Sequence, residues 1–573
     1  MKSFISSALE EAERFFCELG FKILTADAWP AADLIVAYRG TIFVSGKKID
    51  IVAALPKGFP DILPKIYLTE NFEEVIPHLD SKKYLCTFSR DHVDFFSEKI
   101  IGLLSESIEK ARVIIRDGLS GVNHTDFYKE FLAYWAHGAR DNIASIFQPQ
   151  NSILHLKVAM LEPDFNGIWK IAGETDGAIN SILKNMGYNH KVKTFAPAIY
   201  LPFALPVFPP FPVLNGKLIL SLFKSNTENA SAIASEIKKH GTSSYYFFSV
   251  NTDSNLVLAA WSIGVVTKHL EKGFRKGRVD TNTVLSRTAT SKVHRHNVER
   301  LDATRLFKRV GYDCELPIRK NVCIVGCGSL GSKIAAELAQ AGVGSIALVD
   351  DDHLKSDNVT RHVCGLDKIN NPKVKALKQE LLRKYPWIVV TSYFMSFHEL
   401  IDAGTIDFTS FDLLIMATGN TVLERRLNYI QMRIQDFPPV VYSWIEPYGV
   451  ASHALLINRC APGCYNCSLD NDLKYSFRVV EDFACDILMQ EAGCQTFFSP
   501  YSGVEAGMAA SIAVRLAMSC MINNVPNRRL VWIGDLSMAI KNNWKINKFY
   551  KPNDSYRLKE SVLEKSLNCK MCY

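Results

Sequence analysis

Residues 321–350 read NVCIVGCGSLGSKIAAELAQAGVGSIALVD. Asn321 to Gly326 is a short apolar run of the kind a buried strand needs. Gly326-Cys-Gly328-Ser-Leu-Gly331 comes next, and SKIAAELAQAGV then carries apolar residues at helical spacing. Glycines at those three positions permit a tight turn and let backbone amides approach a phosphate at the positive end of a helix. A second strand, SIALVD, closes on Asp350, which is placed to hold a ribose hydroxyl. Strand, glycine turn, helix, strand and acid, in that order, predict the nucleotide-binding half of a doubly wound parallel sheet.

The same alternation continues outward. IVVTSYF, FDLLIMAT and PVVYSWI read as further strands with helical segments between several of them, so residues 301–573 are expected to form an α/β domain with a doubly wound parallel sheet. Residues 1–145 differ. A helix with Phe4, Leu9, Ala12, Phe16 and Leu19 at helical spacing leads into strand-like DLIVAYRG and KKIDIVAAL. A proline-punctuated turn, LPKGFPDILPKIYL, a cysteine-bearing loop and helices from about Phe95 to His137 complete an α+β domain. Between them, residues 146–300 offer strand-like KLILSLF, YYFFSV and LVLAAWSI, a mixed α/β middle domain ending in a basic stretch from Lys268 to Arg300.

Composition sets wide bounds. A chain of 573 residues with 48% apolar and 22% charged residues is ordinary globular protein too long for one core. A net charge of +7 without a dense basic run gives no argument for nucleic-acid binding. The first residues lack a basic segment followed by an apolar core, so no secretory signal is read, and the 14 cysteines are expected as thiols, thiolates or metal ligands. Ala196 to Leu214 is apolar and uncharged, but six prolines remove backbone donors that lipid cannot replace, so it is read as extended core or connector. A soluble, cytoplasmic protein with no membrane partner is expected.

The glycine fingerprint alone is shared with NAD-binding proteins. The residues after Asp350 separate the two. DDDHLKSDNVTRH supplies Asp352, Asn358 and Arg361, and NPKVKAL supplies Lys373. An adenylation site must neutralise a triphosphate and a pentacoordinate α-phosphorus, which takes cations and usually a metal. Arg361 and Lys373 bring that charge in the next segments.

GCGSLGS, LVDDDHLKSDNVTRH and NPKVKAL together resemble the ThiF/MoeB adenylating family, which includes ubiquitin-activating enzymes. The resemblance implies ATP and Mg2+ as cofactors held around Gly326, Gly328, Gly331, Asp350 and Asp352, with Asn358 and Arg361 on phosphates and Lys373 on the triphosphate. It also implies a homodimer in which an arginine from before the first strand crosses into the partner's site; Arg305 and Arg309 are the candidates. One position departs. The family's magnesium-binding Asp after the fourth strand is replaced here by Gly419 in Ala417-Thr-Gly-Asn420, which leaves the ion to ATP phosphates, water and another side chain such as Asn420 or Glu424.

Cys464-Tyr-Asn-Cys467 and Cys569-Lys-Met-Cys572 are two CxxC pairs whose four thiolates suit a closed structural Zn2+ site. A thioester-forming enzyme needs a further cysteine near the adenylate. Cys494, before the turn in AGCQTFFSPYSGVEAGM, is the candidate nucleophile; Cys485 lies in a more apolar run. Cys86, in PHLDSKKYLCTFSRD, comes after a helix, a β meander and the proline turn, an order that resembles the ubiquitin-conjugating fold and implies an acyl acceptor by transthiolation. The usual His-Pro-Asn is absent, and His78 is the nearest polar residue to stabilise the thioester oxyanion.

The whole arrangement, with NVTRH, YSWIEPYGVASHALL and FFSPYSGVEA, resembles the bacterial activating–conjugating fusion enzymes of type II CBASS antiphage systems. That likeness implies a homodimer acting on the C-terminus of a cGAS-like nucleotidyltransferase and on lysines of target proteins. A sulfur-carrier-activating adenylyltransferase with an unrelated N-terminal domain, and a non-catalytic nucleotide-binding scaffold, are the competing readings.

Overall fold

The computed structural model describes residues 2–572 except 71–74, 81, 88–99, 163–169, 189–191, 203–206, 224–226, 242, 253–254, 265–272, 276–277, 311–314, 484–488, 491–496, 524 and 568. The chain divides into two compact units, Met1–Asp176 with Val192–Arg300, and Gly177–Lys191 with Leu301–Tyr573.

The first unit holds two sheets. The earlier one is an antiparallel meander of Lys22–Ile23, Leu34–Val44, Lys47–Pro56, Lys65–Leu68 and Tyr84–Leu85. Its main hairpin turns at Ser45 and Gly46, both at positive φ, so the two-residue loop matches the strand twist and pairs Val44 with Lys47. Helix Lys2–Glu18 buries Ala8, Ala12 and Phe16, one residue per turn, in a core shared with Leu104, Ile108, Ala111 and Ile115 of helix Ile100–Ser120. Phe16 stacks on Tyr38 at 4.6 Å. Leu19, read from the sequence as part of the helix stripe, lies beyond its last residue and is exposed.

The second sheet is a closed barrel ordered Tyr245–Thr252, Asn255–Ile263, Val293–Arg300, Asn142–Ser145, Lys170–Gly173, Leu154–Leu161 and Val192–Leu201. Leu156, Val158, Ala198, Phe247, Leu258 and Val298 belong to one cluster, while Tyr246, Phe248 and Trp261, of opposite parity, pack with the helices. KLILSLF corrects the sequence reading: it falls in helix Asn215–Phe223, not a strand. Leu218, Ile219 and Leu222 are buried while Leu220 is exposed, which is helical and not alternating periodicity. The basic stretch from Lys268 likewise contains helix Thr281–Thr288 and a barrel strand.

A polar tie fastens the barrel strands. His296, buried, has Nδ1 against Asp141 and Nε2 2.8 Å from Ser262 Oγ, and Lys170 pairs with the same Asp141 carboxylate. Burial works to raise the Asp141 pKa, but the His296 and Lys170 partners outweigh it and hold the group at about 2. A depressed carboxylate stabilises the fold above its unfolded pKa near 3.8 and loses that contribution as pH falls toward 2. Asp141→Asn is therefore expected to cost about 2 kcal/mol at pH 7. Thermal unfolding of the full chain should show the gap to wild type narrowing as pH is lowered toward 3.

The second unit is built on an eight-stranded sheet. Val389–Tyr393, Ser345–Val349, Asn321–Val325, Leu413–Met416 and Val440–Ile445 run parallel; Ala451–Ile457, Arg528–Ile533 and Arg557–Val562 extend them antiparallel. The parallel part is the doubly wound sheet read from the sequence. Its extension results from the short link Glu446–Val450, which can reverse the chain but cannot hold the crossover that a parallel neighbour needs. Helices Ser329–Gln340, Lys373–Lys384 and Gly503–Asn523 contribute to one core cluster, and Phe397–Asp402 and Thr421–Gln431 to another. Gly503–Asn523 is long and apolar enough to cross a membrane by length and composition, yet Ala509, Ala513, Leu516 and Ala517 are buried in the core. Strand order reverses between Asn321–Val325 and Leu413–Met416, and an open sheet of this kind forms its ligand crevice beyond the strand ends at that reversal.

Candidate active site

The glycine turn occupies that reversal point. Gly326 has φ +88°, and a Cβ there would lie 2.8 Å from the Ala417 carbonyl oxygen. A Cβ on Gly331 would fall 1.7 Å from Gly326 O, so this glycine permits the helix to close on the strand. Gly328, the N-cap of Ser329–Gln340, has open space where a side chain would stand. Two glycines thus serve packing, and the third leaves room for a ligand at the helix N-terminus.

Asp350 braces the turn: Cys327 N donates to its Oδ2 at 2.6 Å and Asp352 N to its Oδ1 at 2.8 Å. Burial raises its pKa, opposed by Lys373 and these amides. Lys373 is buried as the first residue of its helix, where the helix dipole is positive. A cation there is doubly disfavoured, and Asp352 compensates through an ion pair of 2.8 Å. Asn358 accepts from Lys355 N at 3.1 Å, closing the short turn that carries Arg361. His362, unassigned from the sequence, donates through Nε2 to Cys327 O at 2.9 Å while its Nδ1 accepts from Cys364 N. Burial holds its pKa at about 4, so it supports the turn as a neutral ring.

Tyr501, also unassigned from the sequence although it lies in FFSPYSGVEA, stands 2.6 Å through its hydroxyl from Ser329 Oγ and carries the Arg361 guanidinium over its ring. Arg361 and Tyr501 line a cavity of about 1160 Å³ together with Lys355, Thr360 and Tyr448. Glycine turn, Asp350, Asp352, Lys373, Arg361 and Asn358 are thereby linked in one neighbourhood. Arg305 is exposed on a short helix capped by Asp302. The side chain of Arg309 lies outside the described residues.

Beyond the fourth strand, Gly419 sits at φ +61°. Asn420 caps the next helix through Val422 N and Leu423 N. Glu424 is buried and accepts from Tyr465, Tyr475 and Thr418 hydroxyls at 2.7, 2.9 and 3.3 Å; burial raises its pKa despite them. Both side chains offered in place of the missing acid are committed to the protein, and they do not fit a magnesium site.

Cys323, Cys327 and Cys364 are buried thiols whose pKa burial raises, which makes them inert. Cys494 and Cys485 lie outside the described residues. Cys464, Cys467, Cys569 and Cys572 come together with all four sulfurs within 4.8 Å of one another. Sγ separations of 4.0, 3.6 and 3.3 Å bracket the ~3.8 Å edge of a tetrahedron with metal–sulfur bonds of about 2.3 Å. The donors fit a soft dication.

In the first unit, Cys86 is exposed and its N–H donates to His78 O at 2.9 Å. His78 is held at φ +63°: its N–H donates to Tyr134 Oη at 2.8 Å, Nδ1 meets Glu130 at 2.8 Å and Nε2 meets Asp126 at 3.2 Å. The hydrogen bond to Glu130 leads in raising its pKa. Both ring nitrogens thus face carboxylates, so His78 anchors the Cys86 loop and is not a free oxyanion donor. Beside them opens a cleft of about 960 Å³ lined by Cys86, His78, Glu130, Tyr134, Phe211 and Arg295 among others.

Comparison with known proteins gives both units a lineage. Residues 304–553 match the ThiF family and residues 32–143 match prokaryotic E2 family B. The chain is similar to an ATP-dependent ubiquitin transferase-like protein Cap2 of Pseudomonas aeruginosa, 25% identical over 479 residues that cover 80% of this chain and 82% of that protein. Its namesake from Escherichia coli is 23% identical over 53% of each chain. Among solved structures, E. coli MccB with MccA-N7isoASN covers 45% of this chain and 69% of its own at 18% identity and a TM-score of 0.34. The chain is therefore a fusion of a ThiF-family, ubiquitin-activating-type domain at its C-terminal end with a ubiquitin-conjugating-type domain of prokaryotic E2 family B at its N-terminal end.

Proposed function

We propose that the protein uses ATP to activate the C-terminal carboxylate of a partner protein and conjugates it to lysines of target proteins. One observation carries the reading: a glycine turn at the sheet's reversal point, braced by Asp350, stands with the cations Lys373 and Arg361 on a chain that also holds Cys86 in a cleft. The relatives' names, ATP-dependent and ubiquitin transferase-like, agree with it.

The partner carboxylate oxygen attacks the α-phosphorus of ATP, pyrophosphate leaves, and an acyl-adenylate remains. Lys373 and Arg361 stabilise the negative charge that gathers on the phosphoryl oxygens. Cys494 thiolate attacks the acyl carbon and releases AMP. Cys86 takes the acyl group by transthiolation, and a target lysine amine displaces Cys86 to form an isopeptide. Residues 1–145, 146–300 and 301–573 divide as conjugating, connecting and adenylating modules. The reading includes a cytoplasmic homodimer with Arg305 or Arg309 crossing between subunits. Its partner is a cGAS-like nucleotidyltransferase primed for antiphage defence.

ATP–pyrophosphate exchange that depends on the partner's C-terminus tests the first step. Lys373→Ala is expected to lower it about a hundredfold. A non-reducing gel of Cys494→Ser and Cys86→Ser tests the order of the thiols; a thioester on Cys494→Ser protein overturns that assignment. A second reading, a nucleotide-binding scaffold without catalysis, is favoured by Gly419 and the committed Glu424. Under it the full chain binds ATP and catalyses no exchange.

A further inference from the structure

Tyr501 joins two parts of the nucleotide site that the sequence keeps far apart. Its hydroxyl is 2.6 Å from Ser329 Oγ, and Ser329 is the first residue of the helix that receives the glycine turn. The Arg361 guanidinium lies over its ring, 4.9 Å from the centroid. Among the described residues Arg361 makes no ion pair with a carboxylate. The distinction matters. A carboxylate would neutralise the guanidinium and occupy its N–H donors, whereas an aromatic face holds its plane and leaves the N–H edges for another anion.

The ring is itself fixed. Ser502 N donates to Glu505 Oε2 at 3.0 Å and Val504 N to Ser502 Oγ at 3.0 Å, a capped helix start immediately after Tyr501. A Cβ on Gly503 would stand 3.0 Å from Thr360 O, so that helix start lies directly on the backbone leading into Arg361. Tyr448 and Lys355 line the cavity on which Tyr501 and Arg361 open.

We propose that Tyr501 is a positioning residue for adenylation: its phenol orients Ser329 at the phosphate end of the glycine turn, and its ring face holds Arg361 ready for the triphosphate. This rests on the adenylation reading. The long arginine side chain would otherwise give up several rotamers when ATP binds; with the ring in place that entropy is already spent.

The test is ATP binding to the full chain by titration calorimetry, with thermal unfolding of each variant as the folding check. Tyr501→Leu, which keeps bulk but has no π face, is expected to weaken ATP binding about tenfold. Tyr501→Phe, which loses only the hydroxyl, should weaken it about threefold. The deciding comparison is a double-mutant cycle. Tyr501→Leu placed on Arg361→Ala should cost only the roughly threefold that the lost hydroxyl accounts for, because the arginine its ring positions is gone. Additive losses, or equal affinities for Tyr501→Leu and wild type, overturn the proposal. Should Tyr501→Leu fail to fold, a Tyr501→Phe loss unchanged by Ser329→Ala overturns the Ser329 leg, and its disappearance there supports it. Absence of ATP binding by wild type would instead sink the adenylation reading.

Discussion

Full-length protein carrying Cys86→Ala is expected to lose transfer of the activated carboxyl to lysine by at least about a thousandfold while retaining ATP–pyrophosphate exchange. Before residue 301 the chain has two cysteines, Cys17 and Cys86. Both are exposed, but Cys86 alone of the two lines the 960 Å³ cleft. Its loop is fixed by His78, whose carbonyl accepts the Cys86 amide and whose ring bridges Asp126 and Glu130. A thiol on a held loop beside an open cleft can be reached by an acyl donor and afterwards by an amine. Removing the sulfur leaves the acyl group no second carrier. Cys17→Ala, on the N-terminal helix, is the matched control and should transfer as wild type does. Transfer that survives Cys86→Ala would favour the sulfur-carrier reading, in which the N-terminal domain takes no part in the chemistry.

The parts of this molecule that were legible in its sequence are local. Gly326, Gly328, Gly331 and Asp350 announce themselves because a phosphate turn is built from consecutive residues, and the two CxxC pairs because each is a short motif. The parts that were not legible depend on partners distant in the chain. Tyr501 acquires meaning only beside Ser329 and Arg361, and His362 only beneath the Cys327 carbonyl. Asp141 and His296 meet across 155 positions of sequence to tie the barrel. KLILSLF misled for another reason. A short apolar run shows the same residues to a strand and to a buried helix, and only the exposure of Leu220 between buried Ile219 and Leu222 separates them. The antiparallel half of the large sheet was hidden by loop length: the brief Glu446–Val450 link forbids the crossover, a constraint no periodicity in PVVYSWI reveals.

Cys464→Ser is expected to abolish zinc binding and to lower the unfolding midpoint of the full chain by several degrees or more. The four cysteines supply a donor set for one dication, and metal binding at such a site contributes directly to folding. Here it would tie residues 569–572 to residues 464–467, and the consequences reach further than those segments. Asn428 donates to Cys464 Sγ at 3.7 Å and accepts from Tyr465 N at 3.1 Å, while the Tyr465 hydroxyl donates to buried Glu424. Glu424 in turn accepts from Thr418, next to the Gly419 turn after the fourth strand. Loosening Cys464 therefore frees Tyr465, takes one of three hydroxyl donors from buried Glu424 and relaxes the edge of the nucleotide crevice; the loss of one such hydrogen bond costs about 1 kcal/mol by itself. Cys572→Ser should be milder, since Cys572 is half-buried where Cys464 is fully enclosed. Zinc released on thiol modification of the folded protein, counted with a colorimetric chelator, should approach one ion per chain, and the same treatment should lower the midpoint to that of Cys464→Ser. Protein produced with ample zinc that releases none, and whose midpoint a strong chelator leaves unchanged, would reduce the cluster to four neighbouring thiols.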